Sequence, residues 1–352
     1  MRILWYPKKW RQMLDNPELI YQTTNRMRAY NFHEIIKREP GVQSEIMGHT
    51  LKEARPEDFD VVVFQKEIHS RALGMQICTS PRAISVWDIA DPIGAPVARS
   101  SHRLANLVIA SNHELAEDVV SKGARAPVET VVDNHDANPA WIKQHTKSTG
   151  LLMTWYGIGV NYFRFIKSMR EQIDLDFLEF RWACGENTEW NDEWGFTEGV
   201  EMEMDWREAW ASESSWQRFI FDSDIGIVPV ANDIKSPHKI LNYMAYGIPV
   251  VCSPSDSHRR LITHGENGFF ASTSLEWQTC LEKLKDPSLR SRIGARARET
   301  ALVDYGVEAT ARKYHQLLKA HLELKRQGER SMSKKLSHFA CRSVSGFLRT
   351  NS

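Results

Sequence analysis

The feature that most constrains the fold of this chain is a regular alternation of short apolar runs with helical patterns. The runs are rich in β-branched residues, and in the first part of the chain they lie at residues 2–5, 61–64, 84–86, 107–110 and 128–132. Parallel strands need a crossover that is usually a helix, so this alternation predicts successive βαβ units. We therefore expect an α/β fold built on parallel sheets.

A polar stretch at residues 133–150 interrupts the alternation, and a second series of runs follows it. These runs lie at residues 151–156, 177–182, 225–230, 250–252 and 268–271. A chain of 352 residues is too long for one ordinary compact core and suits two α/β domains. We predict domains at residues 1–145 and 146–305, a helix at 306–328 and a tail at 329–352.

Helix boundaries are signalled in three places. Ser111 and Glu114 have the spacing of a capping box, and Gly123 would end that helix. Asp286 is placed to cap a helix that starts at Pro287, and residues 307–326 form one long amphipathic pattern.

Composition excludes several classes of protein. The 45 basic residues balance the 45 acidic ones, so no overall field favours a nucleic-acid partner. The five cysteines are scattered and odd in number, which fits a reducing cytosol. No stretch reaches the roughly 18 apolar residues that a membrane span requires, so we expect a cytoplasmic protein.

One βαβ unit, at residues 224–252, carries the candidate chemistry. Ser236 suits a helix N-cap, Pro237 the first helical position and Gly247 the left-handed end of the helix. Helix N-termini at the carboxyl ends of parallel strands favour anions, yet this helix has Lys239 in its first turn. Ser236, His238 and Lys239 with free N–H groups predict a diphosphate site that needs no metal. An ordinary βαβ unit with a solvated lysine is the alternative.

The block SPHKILNYMAYGIPVV at residues 236–251, with LITHGENGFF at 261–270, resembles the donor site of family-4-type glycosyltransferases. That region often reads K-x-x-E-Y-M-A-x-G-x-P-V-V and is followed by a glycine-containing E-N-G turn. Weaker similarity covers all but about the last thirty residues. The resemblance implies the GT-B architecture, in which two Rossmann-like domains with parallel sheets face each other across a cleft. It further implies a nucleotide sugar in the C-terminal domain, an acceptor in the N-terminal domain, and a C-terminal helix that crosses back.

Carried over by position, the resemblance implies that Lys239 contacts the diphosphate. Asn242 stands where the family usually has the glutamate that holds the ribose, and the earlier acidic residue of that pair is replaced by Ile234, next to Asp233. Glu266 would lie near the donor sugar, although Asn-Gly turn chemistry explains its segment equally. Gly157 and Gly159 would let backbone approach phosphate at the cleft.

Acid–base candidates are Asp88 and Asp91, which come at the end of a strand where they would face the cleft. Helix capping or a salt bridge is the alternative for each. Arg26 and Arg28 could meet an anionic acceptor or the diphosphate, or be solvated helix arginines. The resemblance favours a retaining transfer, in which the leaving diphosphate takes the acceptor proton.

Three further features carry weaker hypotheses. The triplets at 174–176 and 222–224 have the Asp-x-Asp pattern, but both precede their strands, so we expect no bound metal. Four tryptophans between Cys184 and Ser215 either stack on sugar or pack in an irregular crossover. Residues 334–349 have an apolar helical face and basic residues elsewhere, a pattern that suits an anionic membrane surface, the protein body or a partner.

These features predict a hexosyltransferase-like glycosyltransferase that uses a nucleotide-diphosphate sugar as co-substrate, with no cofactor. Its acceptor would be a glycan or a lipid-linked molecule, in surface polysaccharide assembly, with peripheral contact at the inner membrane face. A catalytically silent glycosyltransferase-like binding subunit is one alternative, because the acidic pair is missing. A sugar-nucleotide epimerase of related fold is another.

Overall fold

A computed structural model gives the structure of the protein. It describes residues 1–8, 10–16, 25–66, 68, 71–92, 103–135, 137–158, 177–185, 213–229 and 236–347.

The first part of the chain forms a six-stranded sheet in which every neighbouring pair is parallel. Its strands are β1 (Arg2–Tyr6), β2 (Gln43–Ile46), β3 (Val61–Gln65), β4 (Ile84–Ile89), β5 (Leu107–Ala110) and β6 (Val128–Thr130). Its helices are α1 (Trp10–Met13), α2 (Asn31–Ile36), α3 (Arg71–Thr79) and α4 (His113–Ser121), with a π-helical turn at Arg26–Tyr30 and a 3₁₀ turn at Pro56–Asp58. The strand order is β2-β1-β3-β4-β5-β6.

The second part forms a five-stranded parallel sheet. Its strands are β7 (Leu151–Ile158), β8 (Leu178–Gly185), β9 (Ile225–Val228), β10 (Val250–Cys252) and β11 (Phe269–Phe270). Its helices are α5 (Glu213–Phe221), α6 (His238–Ala245), α7 (Asp256–Arg259), α8 (Ser274–Lys283) and α9 (Pro287–Asp304), and α10 (Val307–Phe347) follows. The strand order is β11-β10-β9-β7-β8, so the predicted α/β fold with two parallel sheets is confirmed.

Each sheet has an apolar core on both of its faces. In the second sheet, one core joins α6 to α9 through Ile240, Met244 and Ala297, and the other lies under α8 around Trp277 and Leu281. In the first sheet, the two faces are likewise covered by separate clusters. Parallel sheets require this two-sided cover because both faces of their strands are apolar.

Helix α10 returns to the first domain. Ala311, Tyr314, Leu318 and Leu322 follow helical spacing and pack into the core formed by β1 and β3. The chain changes sheet between Thr130 and Leu151, which is within the polar stretch chosen for the domain boundary. None of the helices in the described part of the chain combines the length and the apolar character needed to cross a bilayer.

The helix caps correct one prediction from the sequence. The side chain of Asn112, not Ser111, caps α4 by accepting from the backbone N–H of Leu115 at 2.7 Å. Glu114 therefore makes no capping box, and its carboxylate is free to bond elsewhere. The predicted Asp286 cap is confirmed, since its carboxylate accepts from the Ser288 N–H at 2.8 Å.

The packing of α6 against α9 depends on two glycines in contact. A methyl group on Gly294 would overlap the carbonyl oxygen of Gly247, which itself has a φ of +77°. The two helices can approach this closely only because neither position carries a side chain.

We therefore expect Gly294→Ala to lower the free energy of unfolding by about 1–3 kcal/mol through overpacking. The matched control is Gly328→Ala in α10, where nothing lies within 4 Å of the added methyl. That variant should gain about 0.5–1 kcal/mol, the usual benefit of alanine over glycine in a helix. Urea denaturation measures both, and equal effects at the two sites would contradict the packing argument.

Candidate functional site

The strand order reverses once in each sheet, and a crevice opens at the carboxyl ends of the strands there. In the second sheet the reversal lies between β7 and β9, and in the first between β1 and β3. Ligands of open parallel sheets bind at such points, because loops leave the strands in opposite directions. The candidate site therefore lies beside the ends of β7 and β9, where α6 begins.

The first turn of α6 is set by residues 236–238. The Ser236 hydroxyl oxygen accepts from the His238 N–H at 3.3 Å, and the Leu241 N–H donates to the Pro237 carbonyl at 3.2 Å. The helix begins at His238, within two residues of the predicted start. Buried side chains from Ile240 to Ala245 fix the helix against the sheet, so its N-terminus is rigidly placed.

Lys239 lies between this N-terminus and β7. Its Nζ is 5.2 Å from the ring centroid of Trp155 and 5.5 Å from that of Tyr156, within the range of cation–π contacts. The lysine is half-buried, and its contact with diphosphate stays a prediction beside the alternative of an ordinary lysine. Two aromatic faces thus hold a positive charge at a helix end that already favours anions.

Asn242 occupies the buried face of α6. Only 2% of it is exposed, and its Nδ2 donates to the Tyr156 hydroxyl at 3.0 Å. The amide nitrogen therefore bonds β7, and the ribose contact implied by the resemblance stays a prediction.

Ser236 bonds to the protein as well. Its hydroxyl donates to a carboxylate oxygen of Asp133, in the segment that joins the domains. The predicted contact of this hydroxyl with diphosphate stays a prediction, as do the contacts of Lys239 and of the N–H groups at the start of α6. His238, half-buried beside them, also stays a prediction.

A chain of buried ion pairs continues from Asp133 into the first domain. Arg28 Nη1 donates to Asp133 Oδ1 at 2.8 Å, while Arg28 Nε and Nη2 donate to the two oxygens of Asp88 at 2.8 and 2.9 Å. The Tyr314 hydroxyl of α10 donates to Asp88 Oδ2 at 2.9 Å. We call these residues, Asp88, Arg28, Asp133, Ser236 and Tyr314, the interdomain network.

Burial and neighbouring charges have opposite effects on the pKa values of Arg28 and Asp133. Burial alone would lower the pKa of Arg28, but the carboxylates of Asp88 and Asp133 outweigh it and raise that pKa. Burial raises the pKa of Asp133 against the lowering effects of Arg28 and the Ser236 hydroxyl. The guanidinium is therefore held as a permanent cation between two carboxylates.

This arrangement overturns two sequence predictions. Asp88 is inaccessible and fully bonded, so it is a structural ion-pair partner and not an acid–base group facing the cleft. Arg28 is neither solvated nor open to a ligand. β4 continues to Ile89, three residues beyond the apolar run, and this places Asp88 inside the sheet.

Asp91 and Arg26 lie nearer the surface of the same edge. Asp91 follows β4, its side chain is 45% exposed, and it forms an ion pair with Lys66. Its acid–base role stays a prediction, because its carboxylate is accessible. Arg26 lies in the π-helical turn and is buried, so the alternative of a solvated arginine is wrong; its role toward a ligand stays a prediction.

Glu266 lies at the opposite end of the second sheet. Its turn precedes β11, and the neighbouring Gly268 adjoins Val250, the first residue of β10. The carboxylate is 61% exposed and sits 3.5 Å from Arg296. A position near the donor sugar is therefore wrong, because the turn is at the amino edge and the crevice at the carboxyl edge.

Some of the remaining candidates lie within the described residues, and others lie outside them. Gly157 lies in the last part of β7, paired with Cys184, so its predicted approach to phosphate stays a prediction. Asp222 and Asp224 bond Arg218 and Lys143. Outside the described residues lie Gly159, Asp174, Asp176, Trp190, Trp194, Trp206, Trp210, Asp233 and Ile234.

Sequence reasoning missed a second contact across the domains. Arg260, just after α7, donates from Nε to Glu114 Oε1 of α4 at 2.7 Å. Together with the bond from Ser236 to Asp133, it brings segments at the carboxyl edges of the two sheets into contact. No local pattern signals such a pair, because its members are separated by 146 residues.

The interdomain network yields a stability prediction. Arg28→Ala leaves two carboxylates buried without their cation and should lower the free energy of unfolding by about 3–5 kcal/mol. The matched control is Arg55→Ala, which removes an exposed pair with Asp58. It should cost about 1 kcal/mol or less.

Urea denaturation at neutral pH measures both variants. If Arg28→Ala does not fold, Asp133→Asn, which keeps the shape of the side chain, supplies the measurement. A loss no larger than that of Arg55→Ala would contradict the structural role of the network.

Known proteins share part of this sequence and this fold. A family model described as glycosyl transferase-like matches residues 164–316, which confirms the resemblance for much of the second domain. No curated protein sequence matches the chain.

Solved structures match over most of the chain. HepE from Anabaena, in complex with UDP and glucose, superimposes with a TM-score of 0.58 at 13% identity, covering 91% of this chain and all of that one. Sucrose-phosphate synthase from Thermosynechococcus elongatus gives 0.54 at 11% identity, covering 75% and 74%. A mutant of S. aureus TarM, in complex with fondaparinux, alpha-GlcNAc-glycerol and UDP, gives 0.52 at 12%, covering 73% and 55%. These likenesses confirm the predicted GT-B fold.

Proposed function

We propose that this protein is a glycosyltransferase that moves a sugar from a nucleotide-diphosphate sugar to a glycan or lipid-linked acceptor. The observation that carries the proposal is the position of Lys239, held by Trp155 and Tyr156 at the N-terminus of α6. The glycosyl transferase-like segment supports it, as do the HepE and TarM structures, which are complexes with UDP.

The proposed donor site uses backbone and one cation. The N–H groups at the start of α6 and the Lys239 ammonium would bind the diphosphate, and the positive end of the helix dipole would add to them. Ser236 would act indirectly, because its bond to Asp133 fixes the loop that precedes the helix. Gly157 would let the end of β7 approach the phosphates.

Catalysis in this proposal comes mainly from stabilising the leaving group. As the sugar–oxygen bond breaks, negative charge grows on the diphosphate, and the Lys239 ammonium would stabilise it without a metal ion. We propose a retaining transfer, in which the leaving diphosphate takes the proton of the acceptor hydroxyl. Asp91, half-exposed at the end of β4, would take that proton instead if the transfer were inverting.

One observation favours a catalytically silent binding subunit as a second candidate. Asn242 replaces the usual glutamate, and it is buried against Tyr156. A donor assay separates the two functions: release of sugar from UDP-glucose, UDP-N-acetylglucosamine or another nucleotide sugar supports an enzyme. Binding of UDP without turnover of any donor supports the silent subunit.

We expect Lys239→Ala to weaken UDP binding at least tenfold, which corresponds to about 1.4 kcal/mol for a charge-assisted contact. Uridine binding should change less than about twofold, because that ligand has no phosphate. The matched control is Lys285→Ala, since this lysine also lies over an aromatic ring, that of Phe177, with Nζ 3.8 Å from its centroid. Isothermal titration of the full chain measures both ligands, and equal losses for UDP and uridine would show that Lys239 does not contact phosphate.

We further propose that the protein works in polysaccharide assembly at the cytoplasmic side of a membrane. The support is the tail: α10 runs without interruption from the core of the first domain to Phe347, and its last part carries the basic amphipathic pattern. Such a helix binds anionic lipid through both charge and apolar contact.

Deletion of residues 334–352 should therefore release the protein from phosphatidylglycerol vesicles in a sedimentation assay. The last core residue in the part of the chain whose burial is described is Leu322, so the midpoint of thermal unfolding should stay the same. Phosphatidylcholine vesicles are the control for charge. Unchanged sedimentation of the shortened chain with anionic vesicles would remove the membrane proposal and leave docking to protein.

A further inference from the structure

Resting on the proposed function, we propose that the acceptor carries an anionic group, a phosphate or a carboxylate, and that Lys66 binds it. The proposal concerns the crevice of the first sheet, between β1 and β3, which borders the same cleft as the N-terminus of α6. Four observations lead to it: the position of Lys66, its backbone conformation, the charges around it and its link to the donor side.

The position is defined by strand ends that hydrogen bonds hold together. Lys8 follows β1, Lys66 follows β3 and Asp91 follows β4. The Lys8 N–H donates to Gln65 Oε1 at 3.1 Å, and Asn25 Nδ2 donates to the Lys8 carbonyl at 3.1 Å. These bonds fix the strand ends at the reversal point of the first sheet, which is where ligands of open parallel sheets bind.

The backbone of Lys66 is in the left-handed region, with a φ of 66°, and among the described residues it is the one non-glycine residue there. Its N–H donates to the Asp88 carbonyl at 2.7 Å, and its own carbonyl accepts from Trp87 Nε1 at 3.0 Å. These bonds to β4 impose the conformation. Glycine would adopt it without steric cost, so a lysine here indicates that its side chain has a use.

The ammonium of Lys66 is the group that can bind an anion. Its described ion-pair partner is the carboxylate of Asp91, whose side chain is 45% exposed. The pair of Lys66 and Asp91 is partly exposed, so an anionic ligand can reach the ammonium.

The link to the donor side runs through the interdomain network. Lys66 bonds the backbone of Asp88, whose carboxylate binds Arg28 and, through it, Asp133 and Ser236 before α6. Each domain thus places a lysine at the reversal point of its own sheet, Lys239 for the diphosphate and Lys66 for the acceptor. An acceptor anchored by its charge would present its hydroxyl toward Asp91.

The test uses the full chain with UDP in excess, so that the donor site is filled. Isothermal titration compares glycerol 3-phosphate, glucuronate and glucose, which separate phosphate, carboxylate and neutral ligands. We expect at least one of the two anions to bind tenfold or more tightly than glucose. Lys66→Gly should remove this preference and keep or raise the midpoint of thermal unfolding, because glycine suits the backbone.

The control variant is Lys37→Ala, which removes an exposed lysine paired with Glu34 and should bind like the parent. Equal binding of all three ligands by the parent, or full anion preference in Lys66→Gly, would overturn the inference even if UDP binds. Conversely, failure of UDP to bind, with anion preference that still depends on Lys66, would refute the proposed function and leave the anion site standing.

Discussion

The rest of this structure depends on the ion pairs of the buried Arg28 guanidinium. A charge inside a protein is tolerated only when it is paired and hydrogen-bonded, and here Asp88 and Asp133 supply both conditions. The two carboxylates come from β4 and from the segment between the domains, while Tyr314 adds the returning helix. One cation therefore fixes four chain segments relative to one another: the π-helical turn, β4, the segment between the domains and α10. The N-terminus of α6 is positioned by the bond from Ser236 to Asp133.

The two contacts across the cleft differ in physical character. The interdomain network reaches the second domain through the neutral hydroxyl of Ser236, while its charged members pair with one another. Arg260 and Glu114 form an ion pair in which the arginine side chain is 51% exposed and the glutamate side chain only 8%. Breaking this pair would leave a mostly buried carboxylate without its cation, which costs more than breaking a fully exposed pair.

Apolar runs allowed the sequence to predict the strands, and helix signals predicted α6, α9 and α10, because both depend on local chemistry. β2 was missed because Gln43–Ile46 has three polar residues before its one apolar residue, lies at a sheet edge and contains no β-branched run. The predicted roles of Asp88 and Glu266 were wrong because both depended on the position of a strand end. Asp88 lies inside β4 and not beyond it, and Glu266 lies before the amino end of β11. The partners of Arg28 are 60 and 105 residues away, and no local pattern reveals them.

The proposed roles of the two lysines at the reversal points would meet one electrostatic requirement. A diphosphate and an anionic acceptor repel each other, so a site that binds both needs a separate cation for each. Arg28 cannot serve either ligand, since two carboxylates already neutralise it. Lys239 and Lys66 lie in different domains, and in the proposed complex each would place its charge next to its own ligand. The repulsion between the ligands would then be offset where each one binds, before the reacting groups come together.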